Sequence, residues 1–385
     1  MSRPSATPAR TYAVDNLRTA LTNLVIFHHA ALAYGGTGSL GIRSPYHPPG
    51  SSIAAGKRSK TAFAVEKLRR LAVPTLVYSL FAKGVCWAIV AWRKDEGWQG
   101  VKRAVWENVR NTRGAGGPTW FTAVLLIFDT LYAIGWPEHF ALSPPSSKPA
   151  RVNERNGSSS SPPSRQMLRT SHVVIGLSLA SASTFLIRLR YPFGHIFVPL
   201  NLILGYLPQY ILYYSAGVWI QRRGISLDQP ATASSLKTVG AATLALGTIG
   251  VIKAREVLSQ GGSIEEIVKL AGGGANIFAF LYATLNESVG FLLGSLALYT
   301  FHHSSTLSSR WTAWGKDVAS GSYAAFLVHM PVLIETLTAF DEQAWREYSP
   351  VVKTLVVGGI TAVKSWSVGF GVKWGLEACG VKGYL

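Results

Sequence analysis

The chain has 385 residues, of which 48% are hydrophobic and only 15% are charged. This charged fraction lies well below the roughly 25% of an ordinary soluble domain, so it excludes a disordered or coiled-coil protein and argues against a soluble enzyme. The formal net charge of +18 would suggest nucleic acid binding in a soluble protein. Here the basic residues lie mostly between apolar stretches, as in cytoplasmic loops of membrane proteins. We therefore predict a polytopic membrane protein whose partner is the lipid bilayer and not nucleic acid.

Nine segments approach the roughly 20 apolar residues that a transmembrane helix needs. No small-residue cleavage site follows the polar N-terminus, so we interpret the first segment as a retained span and not as a signal peptide. The sequence predicts an all-α, polytopic transmembrane helix bundle that forms a single domain over residues 1–385. The candidate spans are 17–35, 71–92, 119–136, 172–189, 196–220, 236–252, 276–301, 318–340 and 351–372.

Polar stretches separate these spans. The longest contains PPSSKPARVNERNGSSSSPPSR, and its Ser- and Pro-rich composition cannot bury enough apolar surface to fold. We predict a disordered cytoplasmic loop at about 141–168 and shorter connectors at 93–118 and 253–275. With only two cysteines, the chain offers no disulfide framework and no metal site.

The first span holds ionisable residues within or beside an apolar helix: Asp15, Arg18, His28 and His29. Such groups are costly inside a membrane and usually face a protein interior or a water-filled cavity. Arg18 and His29 are separated by roughly 16 Å along the axis and lie on nearly the same helix face. Histidine suits proton transfer near neutral pH. The residue types are equally compatible with a plain role, in which Arg18 reaches the headgroups and the histidines hydrogen-bond neighbouring helices.

Six motifs in order resemble those of the membrane acyltransferase family called acyltransferase 3. The first is D-x-x-R, followed by ten residues and a histidine, here Asp15, Arg18 and His29. The resemblance covers most of residues 11–340. Within the family, the chain is most similar to the branch related to the glucan-modifying succinyltransferases. The other five motifs are EKLRRLAVPTLVY (66–78), GPTWFTAVLLIF (117–128), YLPQYILYYSAGVWIQRRG (206–224), NESVGF (286–291) and SYAAFLVHMPVLI (322–334).

The resemblance implies that an acyl group passes from acyl-CoA, as co-substrate and not as a bound cofactor, to a hydroxyl of a carbohydrate or another small acceptor. By the family pattern His29 is the base that activates this hydroxyl. Arg18 would offer fixed positive charge to the CoA phosphates or to the oxyanion. His28 lies about 100° round the helix and is the weaker candidate.

Further residues are candidates for the site. Glu287 lies mid-span, where it either joins a polar cavity with a catalytic role or pairs with a buried basic group. His329 either binds substrate or satisfies carbonyls that Pro331 releases. Five further residues either bind the donor or substrate or have an ordinary structural role at the membrane surface or in the pocket wall. They are Arg69, Arg70, Trp120, Gln209 and Tyr210.

The interval between the first span and the basic stretch lacks an apolar helix that the family usually carries there. The apparent junction lies near Gly50–Gly56. If a tenth span is restored at this junction and the N-terminus is cytoplasmic, inner segments hold more Lys and Arg than outer ones, as the positive-inside rule requires.

Two alternatives to an active enzyme stay open. The first is a multi-span transporter, because Arg, His and Glu also line proton paths. The second is an inactive, truncated relative, because one span is missing. The sequence predicts neither the oligomeric state nor which membrane holds the protein.

Overall fold

The computed structural model describes residues 12–33, 65, 67–111, 119–135, 169–198, 200–223, 230–313, 315–340 and 347–381. Most of these residues are helical. The α-helices are α1 (Tyr12–Ala33), α2 (Val73–Arg93), α3 (Gly97–Arg110), α4 (Thr119–Gly135), α5 (Thr170–Arg190), α6 (Leu207–Arg223), α7 (Pro230–Ser259), α8 (Ile264–Gly272), α9 (Ile277–His303), α10 (Ser305–Ser308), α11 (Ser322–Ala339) and α12 (Pro350–Ala378).

Short irregular elements join some of these helices. A π-helical turn, Leu68–Ala72, leads into α2, and 3-10 turns at Leu204–Tyr206 and Val318–Gly321 lead into α6 and α11. The strands form two antiparallel ribbons. In the first, β1 (Ile196–Phe197) pairs with β2 (Leu202–Ile203), and in the second, β3 (Thr312–Ala313) pairs with β4 (Lys316–Asp317).

The predicted all-α, polytopic bundle is confirmed. In the described part of the chain, six helical segments are long and apolar enough to cross a membrane: Leu68–Arg93, Thr170–Arg190, Ala233–Ser259, Ile277–His303, Val318–Ala339 and Pro350–Ala378. The other three predicted spans correspond to α1, α4 and α6. Polar residues interrupt α1, and α4 and α6 have 17 residues each. The chain is thus an integral, multi-pass membrane protein.

Three boundaries differ from the predictions. The predicted connector 253–275 holds the end of α7, which continues to Ser259, and the helix α8 (Ile264–Gly272). The predicted span 196–220 is α-helical only from Leu207, because the strands β1 and β2 pair with each other before it, and Asn201, just ahead of β2, has a φ of 50°. The predicted connector 93–118 contains α3, which folds back along α2. Asn108 of α3 donates a 2.6 Å hydrogen bond to the carbonyl of Leu80. The predicted loop at 141–168 and the junction near Gly50–Gly56 lie outside the described residues.

Several helices begin where the sequence supplies a cap. The side chain of Asn276 accepts a hydrogen bond from the amide of Ala279 at the start of α9. The Ser349 hydroxyl caps α12 in the same way, and Pro350 follows at the first helical position, where its missing amide hydrogen is not needed. These caps fix the starting points of two helices that carry or support the site.

The first helix lies inside the bundle, between α9, α11 and α12. Its residues Ala13, Leu17, Ile26 and Ala30 are buried. Other helices turn large apolar side chains outward, as a lipid-facing surface requires. Examples are exposed leucine, isoleucine and valine side chains of four different helices: Ile134, Leu179, Leu244 and Val363. The central position of α1 places its polar residues against its neighbours and away from lipid.

Candidate active site

Polar contacts hold α1 at a fixed height and rotation. The buried Asn16 donates to the carbonyls of Leu307 and Ser309 at 2.7 and 2.6 Å. About two turns further on, Asn23 accepts a 2.8 Å hydrogen bond from the indole of Trp366 on α12. Because buried amides without partners are costly, these bonds specify the register of α1 in the bundle. The same register determines where His29 lies.

His29 of α1 contacts His329 of α11 directly. The Nε2 atom of His329 lies 2.9 Å from Nδ1 of His29, and the two ring centroids are 5.0 Å apart. His329 is fully buried, whereas His29 is half-buried. The two residues are 300 positions apart in the chain, so only the packing of α1 against α11 brings them together.

The second nitrogen of His329 determines how the pair is protonated. Its Nδ1 atom is hydrogen-bonded to the carbonyl of Phe326. A carbonyl only accepts, so Nδ1 carries the hydrogen, and in a neutral ring Nε2 is then an acceptor. His29 must donate to it from its own Nδ1. The network assigns these tautomers, and it leaves the lone pair of a neutral His29 on Nε2. That atom is able to take a proton from a hydroxyl.

The proline two residues after His329 shapes this part of α11. Pro331 lies inside the helix and has no amide hydrogen, so the carbonyl of Leu327 loses its usual helical partner. Satisfying carbonyls released in this way is one of the two roles that the sequence allows for His329. The ring instead reaches the carbonyl of Phe326, one residue earlier. The bond still fixes the orientation of the imidazole.

Arg18 and Asp15 form an ion pair of 3.2 Å within the first turns of α1. Because α1 is unbroken from Tyr12 to Ala33, Arg18 lies roughly 16 Å from His29 along the helix. The Arg18 side chain is 34% exposed. The arrangement presents positive charge at one end of the helix that bears the histidine, with Asp15 holding the guanidinium.

Arg69 and Arg70 are exposed in the π-helical turn before α2. A buried ion pair that the sequence analysis missed anchors this turn. Lys67 Nζ lies 3.0 Å from Asp129 of α4, and the other carboxylate oxygen of Asp129 accepts a 2.8 Å hydrogen bond from Tyr214 of α6. Asp129 lies in the middle of an apolar segment, the same signal that identified Glu287, so the sequence did contain the clue.

Glu287 is fully buried on α9. Its Oε1 atom accepts hydrogen bonds from Thr184 of α5 at 3.2 Å and from Asn286 at 3.4 Å. Its backbone carbonyl accepts a bond from the Tyr213 hydroxyl of α6. Glu287 therefore belongs to a polar cluster among α5, α6 and α9, and its hydrogen bonds do not go to the histidine pair.

A second charge in this cluster, Arg188, was not predicted as a site residue. It lies one turn after Thr184 on α5 and is 1% exposed. The centre of its guanidinium lies 5.3 Å from the ring centroid of Tyr206 and 4.5 Å from that of Tyr282. The sequence signal is weak, because an arginine at the end of an apolar segment usually anchors a span. Here it is enclosed instead.

The remaining predicted residues fall into two groups. Gln209 is buried and donates a 3.5 Å hydrogen bond to the carbonyl of Asn286, so it joins the cluster around Glu287. Trp120 packs on Tyr210 with ring centroids 5.6 Å apart, in an apolar core. His28 contacts the ring of His29, with the ring centroids 5.7 Å apart. Across the described residues no cluster of His, Cys, Asp and Glu suits a metal ion.

Comparison with known families identifies the chain. The acyltransferase 3 family model, an acyltransferase domain, matches residues 51–369. The matched region includes Glu287 and His329 but begins after α1. The family model does not distinguish branches of the family, so membership of the succinyltransferase branch stays a prediction. No curated protein and no solved structure matches the chain significantly. Because the match covers well over half of a chain built from membrane-spanning helices, the protein belongs to the acyltransferase 3 family of membrane acyltransferases.

Proposed function

We propose that this protein is an O-acyltransferase that moves an acyl group from acyl-CoA to a hydroxyl of a carbohydrate or another small acceptor, with His29 as the general base. The observation that supports this role most strongly is the hydrogen bond between His29 and the buried His329. A base must present an unprotonated nitrogen in a fixed orientation, and the bond to His329 supports both conditions at His29 Nε2.

The chemistry balances without a further reactant. The acceptor hydroxyl oxygen attacks the thioester carbonyl carbon while its proton passes to His29 Nε2. The carbon–sulfur bond then breaks, and the proton is transferred to the departing sulfur, so that free CoA thiol and an ester are the products. A positioned base contributes about a hundredfold to ten-thousandfold to such a step. His329 acts as a positioning residue, because it contacts His29 and not the reacting atoms.

Basic residues supply candidate contacts for the donor. CoA carries several negative charges, and arginine binds phosphate through a planar fork that lysine cannot copy. Arg18, Arg69 and Arg70 are the arginines proposed for this purpose, and all three retain solvent exposure. A cytoplasmic N-terminus would place Arg18 on the side of the membrane where the polyanionic donor is present. Asp15 would hold Arg18 in place.

The polar cluster around Glu287 is the proposed location for the acceptor. Gln209 and Glu287 belong to it directly, and Tyr210, which follows Gln209 on α6, packs on Trp120. Carbohydrates are bound by amides and carboxylates beside aromatic rings, which offer an apolar surface. Glu287 would then orient the acceptor rather than act as a second base, since its hydrogen bonds go to Thr184 and Asn286.

The test compares His29→Ala with the matched variant His28→Ala in the purified full chain. Free CoA thiol is measured in detergent solution with acetyl-CoA and succinyl-CoA as probes, with methyl glucoside as acceptor. We expect His29→Ala to lower kcat at least a hundredfold and His28→Ala to change it less than threefold. Wild-type turnover by His29→Ala would refute the role of His29. A wild-type chain that releases no CoA would refute the proposed acyltransferase activity. A transporter cannot produce the CoA signal, because detergent solution holds no gradient across a membrane.

A further inference from the structure

The helix α3 carries a stripe of alternating aromatic and basic side chains on the side that faces away from α2. Its members occur at intervals of four residues: Trp98, Lys102, Trp106 and Arg110. Residues with this spacing lie on the same face of a helix, and Arg103 lies beside the stripe. All five side chains are exposed, the two tryptophans to 63% and 67%. We call these five residues the tryptophan–basic face.

The opposite face of α3 packs closely against α2. A Cβ atom added to Gly84 of α2 would lie 3.1 Å from the Cα atom of Val105, so a larger residue there would crowd α3. Gly100 of α3 is buried. The side chain of Asn108 donates a 2.6 Å hydrogen bond to the carbonyl of Leu80. These contacts fix the rotation of α3 and therefore the direction in which the tryptophan–basic face points.

The turn between α2 and α3 places this face at the end of a span. The helix α2 belongs to a segment that is long and apolar enough to cross a membrane. Asp95 and Gly97 turn the chain back with φ values of 56° and 67°. Arg93, the last residue of α2, forms a 3.4 Å ion pair with Glu335 of α11. The tryptophan–basic face therefore belongs to a helix that is tied to the bundle at both the turn and the helix contact.

The charge of α3 selects an anionic partner. The helix contains three basic residues, all of them in the tryptophan–basic face, and one acidic residue, Glu107, so its net charge is +2. The two basic and two acidic residues at 93–96 cancel one another. Charged side chains are costly against hydrocarbon, so this face requires water or an anionic surface beside it. A surface of opposite charge satisfies this requirement and attracts the helix.

The tryptophans distinguish a lipid headgroup from a dissolved anion. An indole combines an apolar body with one polar N–H group, so tryptophan is enriched where the membrane interior meets water. A phospholipid offers a phosphate to the basic side chains and the upper part of its acyl chains to the indoles, whereas a dissolved anion offers only the charge. The Nζ atom of Lys102 lies 5.7 Å from the ring centroid of Trp98. This cation and this indole are thus close enough to contact the same lipid molecule.

We propose that the tryptophan–basic face is a binding surface for the headgroups of anionic phospholipids. Its basic side chains bind the phosphates, and its indoles lie at the level where the headgroups meet the acyl chains. Basic helices with tryptophan on their surface bind anionic membranes in this way. The proposal does not depend on acyl transfer, because none of the five residues belongs to the candidate active site.

The experiment measures lipid binding by native mass spectrometry of the purified full chain in a neutral detergent. The probe is dioleoyl phosphatidylglycerol. Dioleoyl phosphatidylcholine has the same acyl chains without net charge, and glycerol 3-phosphate has the charge without the chains. The test variant combines three substitutions in the face: Lys102→Gln, Arg103→Gln and Arg110→Gln. A matched control removes the same charge from exposed positions on α7 and α8: Lys253→Gln, Arg255→Gln and Lys269→Gln. Lipid bound elsewhere is common to both variants, so their difference reports the binding at α3.

We expect the test variant to raise the apparent Kd of phosphatidylglycerol about a hundredfold, since each basic residue near an anionic lipid surface contributes about fivefold. The control variant should bind as the wild type does, and higher ionic strength should weaken binding to the wild type because exposed charges are screened.

Unchanged binding of phosphatidylglycerol by the test variant would overturn the proposal. An equal loss of phosphatidylcholine would also overturn it, in favour of apolar contact alone. Loss of glycerol 3-phosphate binding in the test variant would indicate a site for a dissolved anion instead. Dimers that the wild type forms and the test variant does not would indicate a second copy of the chain as the occupant.

Single substitutions keep the proposal testable if the triple variant does not fold. Glu107→Gln removes the acidic side chain of α3 and should lower the apparent Kd of phosphatidylglycerol about fivefold. Glu265→Gln, at an exposed position of α8, should leave it unchanged. Trp98→Ala combined with Trp106→Ala should weaken binding of phosphatidylglycerol and leave glycerol 3-phosphate unaffected. Equal Kd values for Glu107→Gln and the wild type, or full binding after loss of both tryptophans, would overturn the proposal.

Discussion

The replacement His329→Leu tests whether the histidine pair is a working unit. Leucine keeps the apolar volume but removes the Nε2 acceptor that lies 2.9 Å from His29 Nδ1. The lost hydrogen bond alone is worth about 1 kcal/mol. Without this bond the His29 ring rotates freely and its tautomer is no longer fixed. Part of the roughly hundredfold or greater rate enhancement that a positioned base provides is then lost. We expect kcat to fall by about tenfold to a hundredfold, equivalent to about 1.4–2.8 kcal/mol of barrier.

The assay is release of CoA thiol at saturating acyl-CoA, with the thermal midpoint measured in parallel. The KM for acyl-CoA should stay the same, because His329 does not contact the donor in the proposed mechanism. His329→Gln should recover part of the rate, since its amide oxygen can accept from His29, and His303→Leu, at an exposed position, should have no effect. A His329→Leu variant that folds normally and retains the wild-type kcat would refute the coupling between the two histidines.

Two further predictions concern stability. Gly369→Ala should lower the free energy of unfolding by about 1–3 kcal/mol, because its Cβ would lie 2.6 Å from the backbone of α11; Gly371→Ala, with open space around it, should cost less than about 0.5 kcal/mol. Asp129→Asn should cost about 3 kcal/mol or more, because it removes the carboxylate charge that lies 3.0 Å from the buried Lys67 ammonium. Both are measured by unfolding in mixed micelles, and unchanged midpoints would contradict the packing and the ion pair respectively.

The sequence predicted the architecture well because membrane spans depend on a simple property. A run of about 20 apolar residues suffices to identify one, whatever its neighbours are. The error at 196–206 arose because a short apolar stretch does not distinguish a hairpin from a helix. The left-handed conformation of Asn201 belongs to the turn of that hairpin. The helix α3 was missed because its basic residues make it read as a connector.

The residues of the candidate site stand out one by one in the sequence, but their arrangement in space does not. His29, His329 and Glu287 each stand out as polar groups in apolar segments. Their pairing depends on how α1 packs against α11 and how α5 packs against α9, which no local pattern encodes. Arg188 was overlooked because basic residues at helix ends are usually anchors. Its burial, which distinguishes it from an anchor, follows only from the tertiary structure.

The decisive measurement is the product itself. The purified full chain is incubated in detergent with acetyl-CoA labelled in the acetyl group and with methyl glucoside, and the acceptor is analysed by mass spectrometry beside a sample of His29→Ala. We predict that the wild type forms an acetyl ester that carries the label and that His29→Ala forms less than about one hundredth as much. Equal amounts of labelled ester from both proteins, or none from the wild type, would contradict catalysis by His29.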